Sequence, residues 1–243
     1  MLSDITALDA FAWAAVKRAL NGRVVIHKVS LVPSRRNRVW IVETDVRPVV
    51  VKRFFSGRCG NEFEAIVRAR SSGLEVPLPL LEEGEYLVTE YVPGENCESL
   101  INHMFSAAAA EGIGDWLARF HGRLRIGSEW TVMTDAVLSN FIMSEDKVFG
   151  VDLEDSSLGN PLDDLGSLAA SMLGSEPFFT PIKFDLTLRM LTSYERTSGM
   201  KVVEPARIYV ARHLRMDAKS KPLFRRTLLA AAQSLEREWP KMA

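Results

Sequence analysis

Cysteine is scarce in this 243-residue chain: only Cys59 and Cys97 occur, far apart and without paired-ligand spacing. That gives no support for a disulfide framework or a zinc site, and a reducing cytoplasm is the expected compartment. No apolar run reaches the ~18 residues that suggest a transmembrane helix, so no integral membrane association is expected. The opening stretch "MLSDITALDAFAWAAVKRAL" carries Asp4 and Asp9 within its apolar part and reads as an amphipathic helix, not a secretory signal. There is no internal repeat and no low-complexity linker. A 47% hydrophobic composition is enough to bury a full core in one domain or two small lobes.

Net charge is also nearly absent, at -1, but its distribution is uneven: residues 183–243 hold 13 Lys/Arg against 6 Asp/Glu, and the rest of the chain holds 17 against 25. The segment "RIYVARHLRMDAKSKPLFRR", residues 207–226, has seven basic residues and one acid. It reads either as the solvated face of amphipathic helices or as a basic wall suited to an anionic partner. Its aromatics, Tyr209 and Phe224, are too few to support stacking on single-stranded nucleic acid.

Three β-branched runs follow the first helix: "VVIHKVSLV", "RVWIVET" and "PVVVKRF". The turn-forming "PSRRN" and "DVRP" separate them, as in an antiparallel meander. A helix is expected in "NEFEAIVRARSSG", ended by Gly73, and two more strands in "VPLPLLEEGEYLVTEYVPGE", with Glu83-Gly84 at their turn. Beyond Cys97 the spacing is helical, apart from a hairpin candidate formed by "NFIMS" and "KVFGVDL". The outline is a five-stranded region with one helix, a connector near residues 91–95, and a mostly helical region.

Alternation puts Lys52 on the same strand face as Val50 and Phe54. Alone it would be a solvated edge residue; with a carboxylate partner from the following helix, Glu62 or Glu64, it becomes a fixed cation. The stretch "TDAVLSNFIMSEDKVFGVDLED" supplies Asp135, Asn140, Asp152 and Glu154 around one hairpin. Pairing of the hairpin is expected to bring Asn140 beside Asp152, where two oxygen ligands suit a hard cation such as Mg2+, leaving Asp135 to orient or deprotonate a hydroxyl. A cation for phosphates, a metal site and a carboxylate beside an acceptor are the requirements of phosphoryl transfer from ATP.

With these residues in this order, the sequence resembles the aminoglycoside and choline phosphotransferase branch of the protein-kinase-like superfamily. The resemblance implies an α+β, two-lobed protein-kinase-like fold: a small antiparallel β lobe with one helix that binds nucleotide (residues 1–92), and a mostly helical C-terminal lobe for catalysis and acceptor binding (residues 93–243). It implies Lys52 as the phosphate-gripping lysine, Glu64 as its ion-pair partner with Glu62 as the alternative, and the backbone of Glu90 and Val92 as the adenine-pairing connector in "YLVTEYVPGE". It further implies Asp135 as the catalytic carboxylate, Asn140 and Asp152 as magnesium ligands with Glu154 assisting, and Asp164 in "GNPLDDLGSLA" as a brace for the catalytic loop. His121 in "WLARFHG" is expected to pack, not to catalyse.

The chain departs from the family pattern in three places. Met133-Thr134 stands where the family has His-Gly, which removes a bracing imidazole and a glycine's backbone freedom. The phosphate loop "VPSRRNRVW" contains no glycine, so Asn37 together with Arg35, Arg36 or Arg38 is expected to present side chains to nucleotide instead. "AVLSN" replaces the usual "LHPGN". The reading implied is a cytoplasmic Mg2+- and ATP-dependent kinase acting on a hydroxyl of a small molecule, with an anionic acceptor among the options. Alternatives are a kinase for a lipopolysaccharide sugar or a protein, with RNA also open as acceptor, and a nucleotide-binding regulatory pseudokinase.

Overall fold

The computed structural model describes residues 8–238. Residues 1–7 of the expected N-terminal helix lie outside that range. The chain divides into two compact units. Unit 1 comprises residues up to Ser71, Val76–Pro93 and Asp152–Glu154; unit 2 comprises Ser72–Glu75, Gly94–Val151 and the chain from Asp155 on. In the connector the division falls after Pro93, and residues 72–75 and 152–154 belong to a different unit from their neighbours in the chain.

Unit 1 begins with α1 (Ala10–Ala19), started by Asp9, whose carboxylate accepts the amides of Phe11 and Ala12 at 3.1 and 2.8 Å. An antiparallel sheet follows: β1 (Ile26–Val32), β2 (Arg38–Thr44), β3 (Val49–Arg53), then after α2 (Cys59–Ser71) β4 (Pro79–Glu83) and β5 (Tyr86–Glu90), in the order β1-β2-β3-β5-β4. Trp40 pairs with Val51, and Val51 with Val88. These residues share a core with Val42, Val49 and the Ala12, Ala15 and Val16 face of α1. Because side chains alternate across a strand, burying Val49 and Val51 on that face sends Lys52 to the other.

In unit 2 the short β6 (Glu95–Asn96) and α3 (Cys97–Asn102) lead to α4 (Ala107–Arg123). Three further strands follow: β7 (Trp130–Val132), β8 (Phe141–Ser144) and β9 (Lys147–Gly150). A fourth, β10 (Ser157–Gly159), precedes the helices α5 (Pro161–Leu173), α6 (Pro181–Ser198), α7 (Val203–Ser220) and α8 (Arg225–Glu238). The expected hairpin is β8/β9. The two-stranded pair β7/β10 and the two-residue β6 were not foreseen, being too short to show an alternating pattern. Trp116 stacks on Phe120 at 5.1 Å and meets Phe141 edge-on at 5.5 Å, which seats α4 against the hairpin.

Two glycines let helices touch. A Cβ on Gly114 of α4 would lie 2.1 Å from the carbonyl oxygen of Met190 in α6, and one on Gly166 of α5 would lie 2.4 Å from the Cβ of Tyr209 in α7. Both cysteines are buried free thiols, and burial pushes each up to about 12, so neither is a nucleophile at neutral pH. Among the described residues no helix is long and apolar enough to cross a membrane.

Candidate active site

In unit 1, Lys52 is the centre of a charged cluster. Its Nζ lies 2.7 Å from Glu62 Oε2, 2.6 Å from Asp152 Oδ1 and 3.3 Å from Glu154 Oε2, and 4.8 Å from the ring centre of Phe54. Burial opposes its charge, but the attraction of Glu62 and Asp152 and their hydrogen bonds outweigh this and hold the ammonium well above its usual range. Glu62 is pushed up to about 7, chiefly by burial, with Lys52 pulling against it. One lysine thus faces three carboxylates, two of them buried.

The partner on α2 is Glu62, not Glu64. Helical phase explains the correction: Glu62, Ile66 and Ala69 follow one another at i+4 and i+7 and form the buried face, while Glu64, about 200° round the helix from Glu62, is exposed. Asp152 has a left-handed backbone, φ 62°, and its side chain stays 40% exposed. Asn37, expected at the phosphates, donates its amide to Glu154 Oε2 at 2.7 Å and is itself buried, its Oδ1 left without a partner.

At the connector, Glu90 is doubly tied to Leu78. Its amide donates to the Leu78 carbonyl at 2.9 Å, and its carboxylate accepts the Leu78 amide at 2.8 Å. Val92 is buried.

Unit 2 holds Asp135 and Asn140. Asp135 is exposed, and its carbonyl accepts the Asn140 carboxamide at 2.9 Å. The β8/β9 turn has two residues, so the register that pairs Phe141 with Gly150 puts Asn140 opposite Val151, whose amide donates to the Asn140 carbonyl at 2.9 Å. Asn140 is thus level with Val151, one position short of the pairing expected with Asp152.

The loop before Asp135 is held from below by Asp164, buried in the first turn of α5, whose N-cap Asn160 and first residue Pro161 start the helix. Its carboxylate accepts the amide of Met133 at 2.6 Å and that of Thr134 at 3.0 Å, and lies 3.0 Å from His121 Nε2. His121 Nδ1 meets Tyr194 Oη at 2.9 Å. The imidazole missing at position 133 is therefore supplied to the brace from α4. Thr134, in the family's glycine position, adopts φ 70°, the left-handed conformation a glycine would take without strain. Thr134 Oγ1 lies 3.0 Å from Ser157 Oγ, joining the loop to β10, a contact with no signal in the sequence.

Four of the seven cations in residues 207–226 are already paired: Arg207 with Glu204, Arg212 with Asp163, Arg215 with both carboxylate oxygens of Glu236, and Lys221 with Asp217. Lys219, Arg225 and Arg226 have no carboxylate at ion-pair distance among the described residues. Val210 and Leu214 are buried as an amphipathic helix requires, while Ile208 and Met216 are exposed.

This architecture is that of the protein-kinase-like phosphotransferases. The chain is similar over nearly its whole length to solved structures of an aminoglycoside phosphotransferase, in a ternary complex with streptomycin and ATP (TM-score 0.65, 13% identity, 94% of this chain and 98% of that one), and of a choline kinase from Streptococcus pneumoniae (TM-score 0.66, 14% identity, 93% and 99%). A third is an amicoumacin kinase in complex with AMP-PNP, Ca2+ and Ami (TM-score 0.61, 14% identity, 99% and 97%). More particularly, residues 28–128 match the sequence model of the phosphotransferase enzyme family, in keeping with the resemblance read from the motifs. No curated protein matches the sequence.

The donor set suits a hard cation: Glu62, Asp152 and Glu154 each offer a carboxylate oxygen, all within 4.8 Å of one another.

Proposed function

We propose that the protein is a Mg2+- and ATP-dependent phosphotransferase that moves the γ-phosphate to a hydroxyl of a small molecule. The observation that carries this reading is the Lys52 ion-pair cluster, which fixes a buried cation by a helix carboxylate and by the Asp of an Asp-x-Glu segment. That is the arrangement expected of a lysine that grips nucleotide phosphates. The similarity to phosphotransferase structures supports it.

In this reading Asp152, with Glu154 and Asn140, holds the metal, which when bound spreads the negative charge of the phosphates. Asn140 already spends its amide on the Asp135 carbonyl, leaving its oxygen as the ligand atom. Lys52 binds the α/β phosphates. Adenine pairs with the connector backbone through the Glu90 carbonyl and Val92, since the Glu90 amide is committed to Leu78. Asp135 takes the hydroxyl proton as the acceptor oxygen bonds to the γ-phosphorus and the bond from that phosphorus to the bridging oxygen breaks, releasing ADP.

A turning-over enzyme is favoured over a regulatory pseudokinase by two local features of unit 2. His121 meets the brace on Asp164, and Thr134 takes up the glycine conformation, so the two departures in the loop are each compensated. The pairing of Arg207, Arg212, Arg215 and Lys221 leaves Lys219, Arg225 and Arg226 to meet an anionic acceptor, should the acceptor be one.

The test is a screen of hydroxyl-bearing acceptors with radiolabelled ATP and Mg2+, run on the parent and on Asp135→Asn. A hit with the parent that drops at least about 100-fold in rate in Asp135→Asn, at unaltered ATP affinity, supports the assignment. Equal turnover in the variant removes Asp135 from the mechanism.

A further inference from the structure

The β1–β2 turn raises a specific question, because a loop without glycine cannot bring its backbone amides as close to phosphate as the family pattern does. The structure shows where its side chains go. Asn37 Nδ2 donates to Glu154 Oε2 at 2.7 Å, Lys52 Nζ lies 3.3 Å from the same oxygen, and Arg36 Nη1 lies 3.9 Å from Oε1. A carboxamide, an ammonium and a guanidinium thus converge on the two oxygens of one buried carboxylate. These are the donor types that bind phosphoryl oxygens.

We infer that Lys52, Arg36 and Asn37 form a phosphoryl-anion subsite for which the Glu154 carboxylate is a built-in competitor.

Three observations favour this over an incidental ion pair. The buried Asn37 Oδ1 has no partner, so the carboxamide is oriented by Glu154 through its nitrogen and not by a contact of its own oxygen. The turn itself is closed by the Asn37 amide on Ser34 Oγ at 3.3 Å, which leaves the side chain outside the turn's own bonding. Lys52 has three protons to donate, and its contact with Glu154 is the longest of its three carboxylate contacts, the one most readily exchanged for a phosphate oxygen. Of the three arginines the loop offers, Arg36 reaches Glu154, while Arg38 lies over the Trp40 ring at 5.5 Å.

The competition has a direction. A phosphate that takes these donors must displace Glu154, and Glu154 moves off most easily when a cation is there to receive it. Metal and nucleotide binding are then coupled through one side chain, beyond ordinary charge neutralisation. The inference deepens the nucleotide reading and rests on it only for what carries the phosphate.

The test uses tripolyphosphate and ATP, both metal-free in excess chelator, titrated by calorimetry into the full chain. Glu154→Gln keeps the shape and removes the competing charge, and is expected to bind tripolyphosphate about tenfold more tightly than the parent. The gain should vanish in the Glu154→Gln/Arg36→Ala double variant, which separates loss of a competitor from general relief of negative charge. In the otherwise unaltered chain, Arg36→Ala should weaken tripolyphosphate binding several-fold and Arg35→Ala less than twofold, a comparison of two exposed positions that places no demand on folding. Unchanged or weaker binding in Glu154→Gln, a gain that survives loss of Arg36, or equal effects at positions 35 and 36 would each overturn the inference. Failure of the parent to bind Mg2+-ATP would instead count against the nucleotide reading, and the tripolyphosphate comparison would still decide the subsite.

Discussion

Among the described residues two lysines are buried, one in each unit, and they differ in almost everything else. Lys52 has three carboxylates around it and is held well above its usual range. Lys183, in α6, is fully buried and bonds only to neutral oxygens: Asn102 Oδ1, the Met172 carbonyl at 3.1 Å and Ser175 Oγ at 3.1 Å. Burial lowers Lys183 to about 8. The contrast separates two uses of one side chain. Lys183 joins the end of α3, the last turn of α5 and the start of α6, sharing with Ser175 Oγ the Met172 carbonyl at that helix end. Lys52 sits in more opposing charge than structure requires, and such an excess has a purpose only where other cations arrive.

The largest effect should follow from breaking the charged side of this comparison. Lys52→Met leaves Glu62, Asp152 and Glu154 without their cation, and urea denaturation should record a loss of about 3–5 kcal/mol near pH 8. The loss should shrink toward pH 5, because Glu62, already pushed up to about 7 by burial, takes up a proton there. A loss that does not depend on pH would mean that the carboxylates are not the cause.

Next in size is the brace in unit 2. Asp164→Ala strands the amides of Met133 and Thr134 and the His121 ring nitrogen, and about 3 kcal/mol of stability should go with them. Hydrogen exchange should report the lost protection at residues 133 and 134 in particular.

Lys183 gives a smaller effect, in a more alkaline pH window. Its folded value of about 8 lies below the ordinary 10.5, so between those values the unfolded chain holds the proton that the folded chain has released. Stability should therefore rise with pH in that window, by about 2 kcal/mol between pH 8 and pH 10, and the contribution is lost as pH falls through 8. Lys183→Met should lack that slope, as thermal denaturation at pH 8 and pH 10 would show. The smallest effect concerns Thr134, a β-branched residue at φ 70°. Thr134→Gly relieves the strain but loses the hydroxyl contact with Ser157, and a net gain of up to about 1 kcal/mol is expected in the melting temperature series.

The same contrast shows what was legible in the residues alone. Alternation in "PVVVKRF" was enough to set Lys52 apart from the Val49 and Val51 face, because strand period is local. Choosing Glu62 over Glu64 required the phase of α2, which depends on which residues meet the sheet, and single-sequence motif spacing pointed to the wrong one of the pair. The brace role of Asp164 followed from its motif. That His121 reaches it across dozens of residues of chain did not, since tertiary packing alone brings α4 and α5 together. The hold of Asn37 on Glu154 spans a far longer gap, 117 residues. Lys183 carried no signal at all: in "TPIKFDL" it looks like a surface lysine, and only the neutral oxygens gathered around it make burial tolerable.

Calorimetric titration of Mg2+-ATP into the parent, Lys52→Met and Lys183→Met, each at a temperature where it is folded, tests the central distinction most directly. The account predicts binding by the parent and by Lys183→Met within about twofold of each other, and a loss of at least about tenfold in Lys52→Met. Equal affinity in Lys52→Met and the parent would contradict it.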